Sequence, residues 1–264
     1  KEELDLTPNT QPAIFLISYC IFQVVKKEFD INLNKAKYFA GHSLGEYSAI
    51  ACAGYLDFRD TIKILKIRGE AMQNAVPDGE GGMVAVLGSN IESIEKILQN
   101  NKKNFLAQIA NDNSEGQIVL SGKNNDLEKL IEVLKLNNIK NIKLPVSAPF
   151  HCQLMSQAKE AMQAPLQLTK IVENENKIIA NLTGKIADTY STAMLSEQID
   201  HPVLWSQSLR CAYDKGIRNF IEIGPGSVLT NLGRKNLSPK ECMFSNTAKN
   251  ILASIEEINN NFSV

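Results

Sequence analysis

Hydrophobic and polar positions give the chain a rhythm that changes along its length. From Ile14 to Ile21 apolar residues crowd all sides of a first helix, for which Asn9 or Thr10 is the expected cap, Pro12 a first-turn residue and Phe29 the end. An all-round apolar pattern of this kind predicts a well-buried helix. A short β-prone run from Lys37 to Ala40 follows, and the small residues Ser48 to Ala53 then read as helical. Asp57 is placed to cap a second long helix, where Phe58, Ile62, Leu65, Gly69 and Met72 recur at i+3 and i+4 spacing and Arg68 falls on the flank. Pro77-Asp78-Gly79-Glu80-Gly81-Gly82 breaks that pattern.

Beyond the break the period alternates between two residues and nearly four. The predicted elements are strand Met83 to Leu87, helix Ile91 to Asn100, strand Phe105 to Ala110, strand Gln117 to Ser121, helix Asn125 to Asn137 and strand Ile139 to Val146. That order, βαββαβ, predicts a ferredoxin-like subdomain over residues 79–147, inserted into a large α/β domain made of residues 1–78 and 148–264. The remainder predicts a helix near Gln153 to Met162, a strand Lys177 to Asn181, helices at Ala193 to Gln198 and Val203 to Lys215, and a strand Asn219 to Ile223, with Gly224-Pro225-Gly226 opening another helix. The Asn- and Lys-rich pieces at 100–104, 174–177 and 259–261 read as solvated loops and ends.

Composition narrows the function classes. At 44% hydrophobic, a chain of 264 residues can bury a sizeable core, and no apolar run approaches the roughly 20 residues a membrane span needs. A formal net charge of -1 argues against a broad footprint for nucleic acid, so neither nucleic acid nor membrane is an expected partner. The five cysteines are scattered without a C-x-x-C pair, which suggests neither a zinc site nor a disulfide framework and fits a reducing compartment, the cytoplasm or, in a eukaryote, an organelle matrix. The opening Lys1-Glu2-Glu3-Leu4 lacks an initiator Met and a signal pattern, and the expectation is that residues upstream are absent.

Candidate chemistry concentrates at Gly41-His42-Ser43-Leu44-Gly45, a Gly-x-Ser-x-Gly turn between a strand and a helix. That is the context of a nucleophile elbow, with Ser43 as nucleophile and the Leu44 N–H at the helix start as an oxyanion donor. A serine hydroxyl needs a base, and three histidines are available. His42 adjoins Ser43, where successive side chains diverge; His201 precedes Pro202 and reads as a surface or capping residue; His151, at the exit of the inserted segment, is the favoured base. No acid is singled out behind it, so a main-chain carbonyl could orient the ring. An arginine on the flank of a buried stripe suits a carboxylate, although its commoner fate is to snorkel or to pair with a neighbour such as Glu70.

Together Gly41-His42-Ser43-Leu44-Gly45-Glu46-Tyr47, Arg68-Gly69-Glu70-Ala71-Met72-Gln73, Asn113-Ser114-Glu115-Gly116-Gln117, Val146-Ser147-Ala148-Pro149-Phe150-His151 and Glu222-Ile223-Gly224-Pro225-Gly226 resemble the malonyl-CoA:acyl carrier protein transacylases of type II fatty acid synthesis. The match runs from Thr10 to the C-terminal helix. The resemblance implies an α/β-hydrolase-like large domain with a mostly parallel sheet carrying the ferredoxin-like insertion. It makes Ser43 the acylated nucleophile, His151 its base, the Gln198 main-chain carbonyl the group orienting that base, and Arg68 the anchor of the malonyl carboxylate. Asn113 and Phe150 become substrate-binding residues, and Leu44 and Phe150 look like the malonyl-selecting versions of their motifs. The implied partners are malonyl-CoA and acyl carrier protein, with no metal or redox cofactor and a monomeric chain. The family's Gly-Gln-Gly-Ser-Gln motif, whose glutamine helps form the oxyanion hole, has no counterpart here, and the family's Asn-Pro-Val is His201-Pro202-Val203, which makes His201 a second candidate cleft histidine. Lys140 and Lys143 read as solvated lysines or as contacts for CoA phosphates or an acidic carrier protein. The rival readings are a serine thioesterase or esterase using the same elbow, and a non-catalytic acyltransferase-like interaction module.

Overall fold

A computed structural model of the chain describes residues 2–29, 31, 33–146, 148–248 and 251–261. A short helix α1 (Glu2–Asp5) leads into α2 (Thr7–Glu28), then strand β1 (Tyr38–Phe39), helix α3 (Leu44–Cys52) and helix α4 (Phe58–Asn74). The first long helix starts earlier than its sequence suggests. Pro8 occupies its first turn, the N–H groups of Asn9 and Thr10 already bond the Leu6 carbonyl, and Pro12 lies inside. Nor is that helix buried all round: Gln11, Phe15, Ser18, Phe22 and Val25 form a single inward stripe, while Leu16 and Ile17 are 41% and 44% exposed. Asp57 does cap α4, its carboxylate accepting from the N–H groups of Arg59 and Asp60.

The change of period after Gly82 corresponds to a change of architecture. Strands β2 (Gly81–Leu87), β3 (Ala107–Ser114), β4 (Gln117–Lys123) and β5 (Lys140–Lys143) form an antiparallel sheet in the order β3-β4-β2-β5, with helices α5 (Ile91–Asn101) and α6 (Asn124–Leu136) as its connections. This is the strand order of a ferredoxin-like βαββαβ unit. Val84, Val86, Ile118 and Leu120 face the helices and share a core with Ile94, Leu127, Leu130 and Leu134. The alternate residues Met83, Ala85, Ala110 and Val119 make a second core on the other face, against which Phe150 packs. Burial of both faces explains why β2 reads as a nearly continuous apolar run. The sheet thereby holds the residue that immediately precedes His151.

Returning to the larger part, the chain forms α7 (Ser156–Gln167), β6 (Lys177–Ala180), β7 (Lys185–Ile186), α8 (Thr192–Glu197), α9 (Trp205–Asp214), β8 (Asn219–Glu222), α10 (Val228–Asn236), β9 (Met243–Asn246) and α11 (Ile251–Asn261). The Asn259–Asn261 stretch, expected as a loop, is thus the end of a helix. β1 pairs with β6 and β8 with β9 in parallel, while β6 and β7 make an antiparallel hairpin. Among the described residues these strands form two sheets rather than one, and a largely apolar cleft of about 1130 Å³ separates β1 from β8, lined by Tyr38, Phe39, Leu44, Phe220 and Ile221. The small sheet is fastened to the larger part where Val203 bridges β3: its N–H donates to the Ala110 carbonyl (2.9 Å), and its carbonyl accepts from the Asp112 N–H (3.0 Å).

The main core joins α2, α3, α4 and α7 through Phe15, Tyr47, Ile50, Leu65, Met72, Met155 and Met162. α2 and α4 cross closely because Gly69 carries no side chain: a Cβ there would stand 2.5 Å from Pro8 Cα. The crossing sets Gln11 of α2 beside Arg68 of α4. Gly69→Ala should therefore force the helices apart and cost ~1–3 kcal/mol, read as a fall of several degrees in the thermal midpoint. An unchanged midpoint would show that this contact does not set the crossing.

Candidate active site

The turn into α3 is strained in the way a serine held up at a strand-helix junction requires. Ser43 has φ 53° and ψ -113°, outside the regions L-residues favour. A side chain at Gly41 would meet the Gly45 carbonyl oxygen at 1.9 Å, so glycine is needed where the backbone folds over itself. Asn181, directly after β6, pins the turn from the neighbouring strand. Its Oδ1 accepts from the Ser43 N–H at 2.7 Å, and its Nδ2 donates to the Gly41 carbonyl at 2.6 Å. Leu44 opens α3, and its N–H is among the donors that a helix start leaves without an intrahelical partner.

His151 also stands on left-handed backbone, at φ 58°, and is 3% exposed. Its Nε2 lies 2.7 Å from Ser43 Oγ and its Nδ1 2.9 Å from the Gln198 main-chain carbonyl. A carbonyl can only accept, so Nδ1 carries the proton and Nε2 is left to receive the serine's. Burial, helped by the Arg68 charge, pushes His151 down to about 3, which keeps the imidazole neutral. His42 turns away from Ser43. Its Nε2 is 2.8 Å from Asn113 Oδ1, its ring meets Trp205 edge-on, and burial lowers its pKa.

Arg68 is 1% exposed, and the acids that sequence would offer it are engaged elsewhere or out of reach. Glu70 pairs with Lys66, and among the described residues no carboxylate oxygen comes within 4.0 Å of the guanidinium. Its partners are neutral oxygens instead: Gln11 Oε1 at 2.6 Å, Gln198 Oε1 at 2.9 Å and Ser43 Oγ at 3.2 Å. The Nε–H, also buried, has no acceptor among the described residues. The Tyr47 ring lies beneath, 5.4 Å from Cζ. Burial lowers the Arg68 pKa from its ordinary value, yet guanidinium remains a cation in proteins. A sealed cation 3.2 Å from a serine hydroxyl has the chemistry to hold an anion at a defined position.

Behind this trio lies a residue that sequence reasoning passed over. Glu46, 1% exposed, accepts from Tyr190 Oη (2.8 Å) and from Gln198 Nε2. Burial pushes it up to about 7, against the pull of those hydrogen bonds and of Arg68. The position of Asn181 after a parallel strand was a usable signal, since ligand sites in α/β folds gather at strand carboxyl ends. Glu46, one turn into the elbow helix, gave no such signal.

The other expected residues sit farther from the serine's hydrogen-bond network. Asn113, buried on β3, bonds His42, and its carbonyl accepts from Asn236 Nδ2. Phe150 packs between the main core and the underside of the small sheet, its carbonyl accepting from Ser121 Oγ. His201 is exposed and bonds Asp200 and the Glu197 carbonyl. Glu197, Asp200 and His201 lie close enough to share a cation, but Lys159 already bridges the two carboxylates at 2.7 and 3.4 Å.

Residues 1–252 match the family described as acyl transferase domain. The malonyl CoA-acyl carrier protein transacylase of Bacillus subtilis (strain 168) is 39% identical over 238 residues, which cover 89% of this chain and 74% of the relative. That of Escherichia coli (strain K12) is 33% identical over 260 residues, covering 97% and 82%. Among solved structures, the malonyl CoA-acyl carrier protein transacylase from Clostridium perfringens superposes with a TM-score of 0.91 at 34% identity, over 98% of this chain and 80% of the other. A malonyl-transacylase solved in complex with its type II PKS acyl-carrier protein gives 0.89 at 31% identity, over 98% and 83%. With its strained serine, its carbonyl-oriented histidine and its ferredoxin-like sheet, the chain belongs to the acyl transferase domain family.

Proposed function

We propose that this protein moves the malonyl group from malonyl-CoA to the pantetheine thiol of acyl carrier protein, in fatty acid synthesis, through a malonyl ester on Ser43. The observation that carries the reading is the buried Arg68, held 3.2 Å from the serine oxygen with no carboxylate partner among the described residues. An enzyme for plain acyl chains would gain nothing from a desolvated cation there, whereas a diacid monothioester supplies the missing anion. The names of the relatives agree.

In the forward half-reaction Ser43 Oγ gives its proton to His151 Nε2 while bonding the thioester carbon, and the carbonyl oxygen gains the charge. The Leu44 N–H and the positive end of α3 hold that oxyanion. Its collapse breaks the carbon–sulfur bond, and the imidazolium returns the proton to the departing CoA sulfur. The carrier-protein thiol then attacks the ester by the same steps in reverse, so the exchange of thioester for ester calls on no metal or redox group. The Gln198 carbonyl keeps the imidazole in the competent tautomer. Phe150, set by the small sheet, crowds the malonyl α-carbon against a branched extender, a discrimination of typically ~1–3 kcal/mol per methyl. Asn113 acts on the substrate side of the same wall. In this reading residues 79–147 are an inserted subdomain forming one wall of the substrate site, residues 1–78 and 148–264 the catalytic domain, and a cytoplasmic monomer is the working form. Among the described residues no helix is long and apolar enough to cross a membrane.

Incubation with malonyl-CoA should leave a malonyl adduct on Ser43 that a carrier protein discharges, seen by intact-mass spectrometry; release to water without transfer would favour a hydrolase. Arg68→Ala should reduce kcat/KM for malonyl-CoA by about 10²–10³, the effect of stranding a buried carboxylate, while improving acetyl-CoA relative to it. Because His151 is held down to about 3, the base stays competent as pH falls through the ordinary histidine value of about 6.5. The His151 ring, followed by NMR, should accordingly stay neutral between about pH 7.5 and 5.5, and protonation centred near 6.5 would mean a solvated base.

A further inference from the structure

Gln198 bonds Ser43, His151 and Arg68, and its side chain has a task separate from its main-chain carbonyl. The amide nitrogen faces oxygen acceptors, donating to Glu46 Oε2 and to the Ser43 carbonyl at 3.0 Å. Its oxygen faces the Arg68 guanidinium at 2.9 Å. Only this orientation satisfies the surroundings, because a flipped amide would point N–H at N–H on one side and oxygen at oxygen on the other. The residue is wholly buried, so water cannot substitute for it. Glu46 is fixed from behind by Tyr190 Oη and, more distantly, by the Asn181 N–H, and in either protonation state one of its oxygens remains an acceptor for the amide.

We propose that the Gln198 side chain is a specificity-determining spacer: its amide stands between the Arg68 guanidinium and the Glu46 carboxylate and prevents them from pairing, so the guanidinium stays available to the carboxylate of the acyl donor. Opposite charges this close in a dry interior attract strongly, and an arginine is long enough to close a gap one amide wide. A direct ion pair would occupy the donor fork that the substrate needs. Held at one remove, Glu46 still offsets the burial of the guanidinium through space while consuming none of its N–H groups. Gln11 completes the arrangement from α2 with another neutral oxygen. The site thus carries a counter-charge without a competitor.

The inference rests on the malonyl reading, and the experiment separates the two. The ratio of kcat/KM for malonyl-CoA to that for acetyl-CoA is measured, with Ser43 loading confirmed by intact mass. Gln198→Ala, which keeps the main-chain carbonyl, should lower this ratio about tenfold or more, chiefly through KM for malonyl-CoA, as Arg68 closes onto Glu46. Adding Glu46→Gln to that variant removes the competing carboxylate and should bring the ratio back to within about threefold of the parent. Gln198→Glu, of nearly unchanged volume, sets a carboxylate directly against Arg68 and should lose the ratio at least as far, which keeps the test open should the alanine variant fail to fold. A parental ratio in either single variant, or a double variant no better than Gln198→Ala, would overturn the spacer. Absence of malonyl loading in the parent protein would overturn the malonyl reading itself.

Discussion

A guanidinium withdrawn from water and given only neutral oxygens for company is the constraint around which this molecule is arranged. Removing such a charge from solvent costs several kcal/mol unless something compensates. Here the compensation is spread over Gln11, Gln198, Ser43 and the Tyr47 ring, with Glu46 acting from behind an amide. They come from three separate stretches of chain: α2, the elbow with the start of α3, and the segment after α8. α2 and α4 must cross at Gly69, the elbow must open into α3, and the loop after α8 must turn inward for the contacts to coexist.

In the proposed mechanism, the same arrangement explains why the histidine needs no acid. A carboxylate behind His151 would sit in a pocket already holding Arg68 and Glu46, and would compete for the guanidinium. The Gln198 carbonyl fixes the ring without adding charge. It also leaves the imidazole easy to keep neutral, since no anion stabilises its protonated form. Base strength is thereby traded for certainty about the proton's starting place.

Much of this was legible in the chain. The elbow announces itself through Gly41, Ser43 and Gly45, and alternation from Met83 to Lys143 gives the order of the small sheet almost strand for strand. The meeting of Ser43, His151 and Arg68 was expected, although their roles remain the proposed reading. What escaped was whatever depends on contacts across the fold. Asn181 reaches the elbow over a separation of 138 residues and Tyr190 reaches Glu46 over 144, and neither leaves a local pattern. β7, a two-residue strand, and β9 carry too few residues to show a period. The first helix misled because its apolar residues outnumber those it buries: Leu16 and Ile17 face outward, and Pro8 rather than Pro12 serves its first turn.

Ser43 and His151, the proposed nucleophile and base, both stand on left-handed backbone, at φ 53° and 58°. Such conformations cost of order 1–3 kcal/mol each and suit glycine or asparagine better than serine or histidine. A directed-evolution campaign selecting for heat resistance alone would thus find relief at these two positions and discard the chemistry with the strain. Robustness in this scaffold has to be sought in the helices that surround the elbow, well away from the turns that present its reactive atoms.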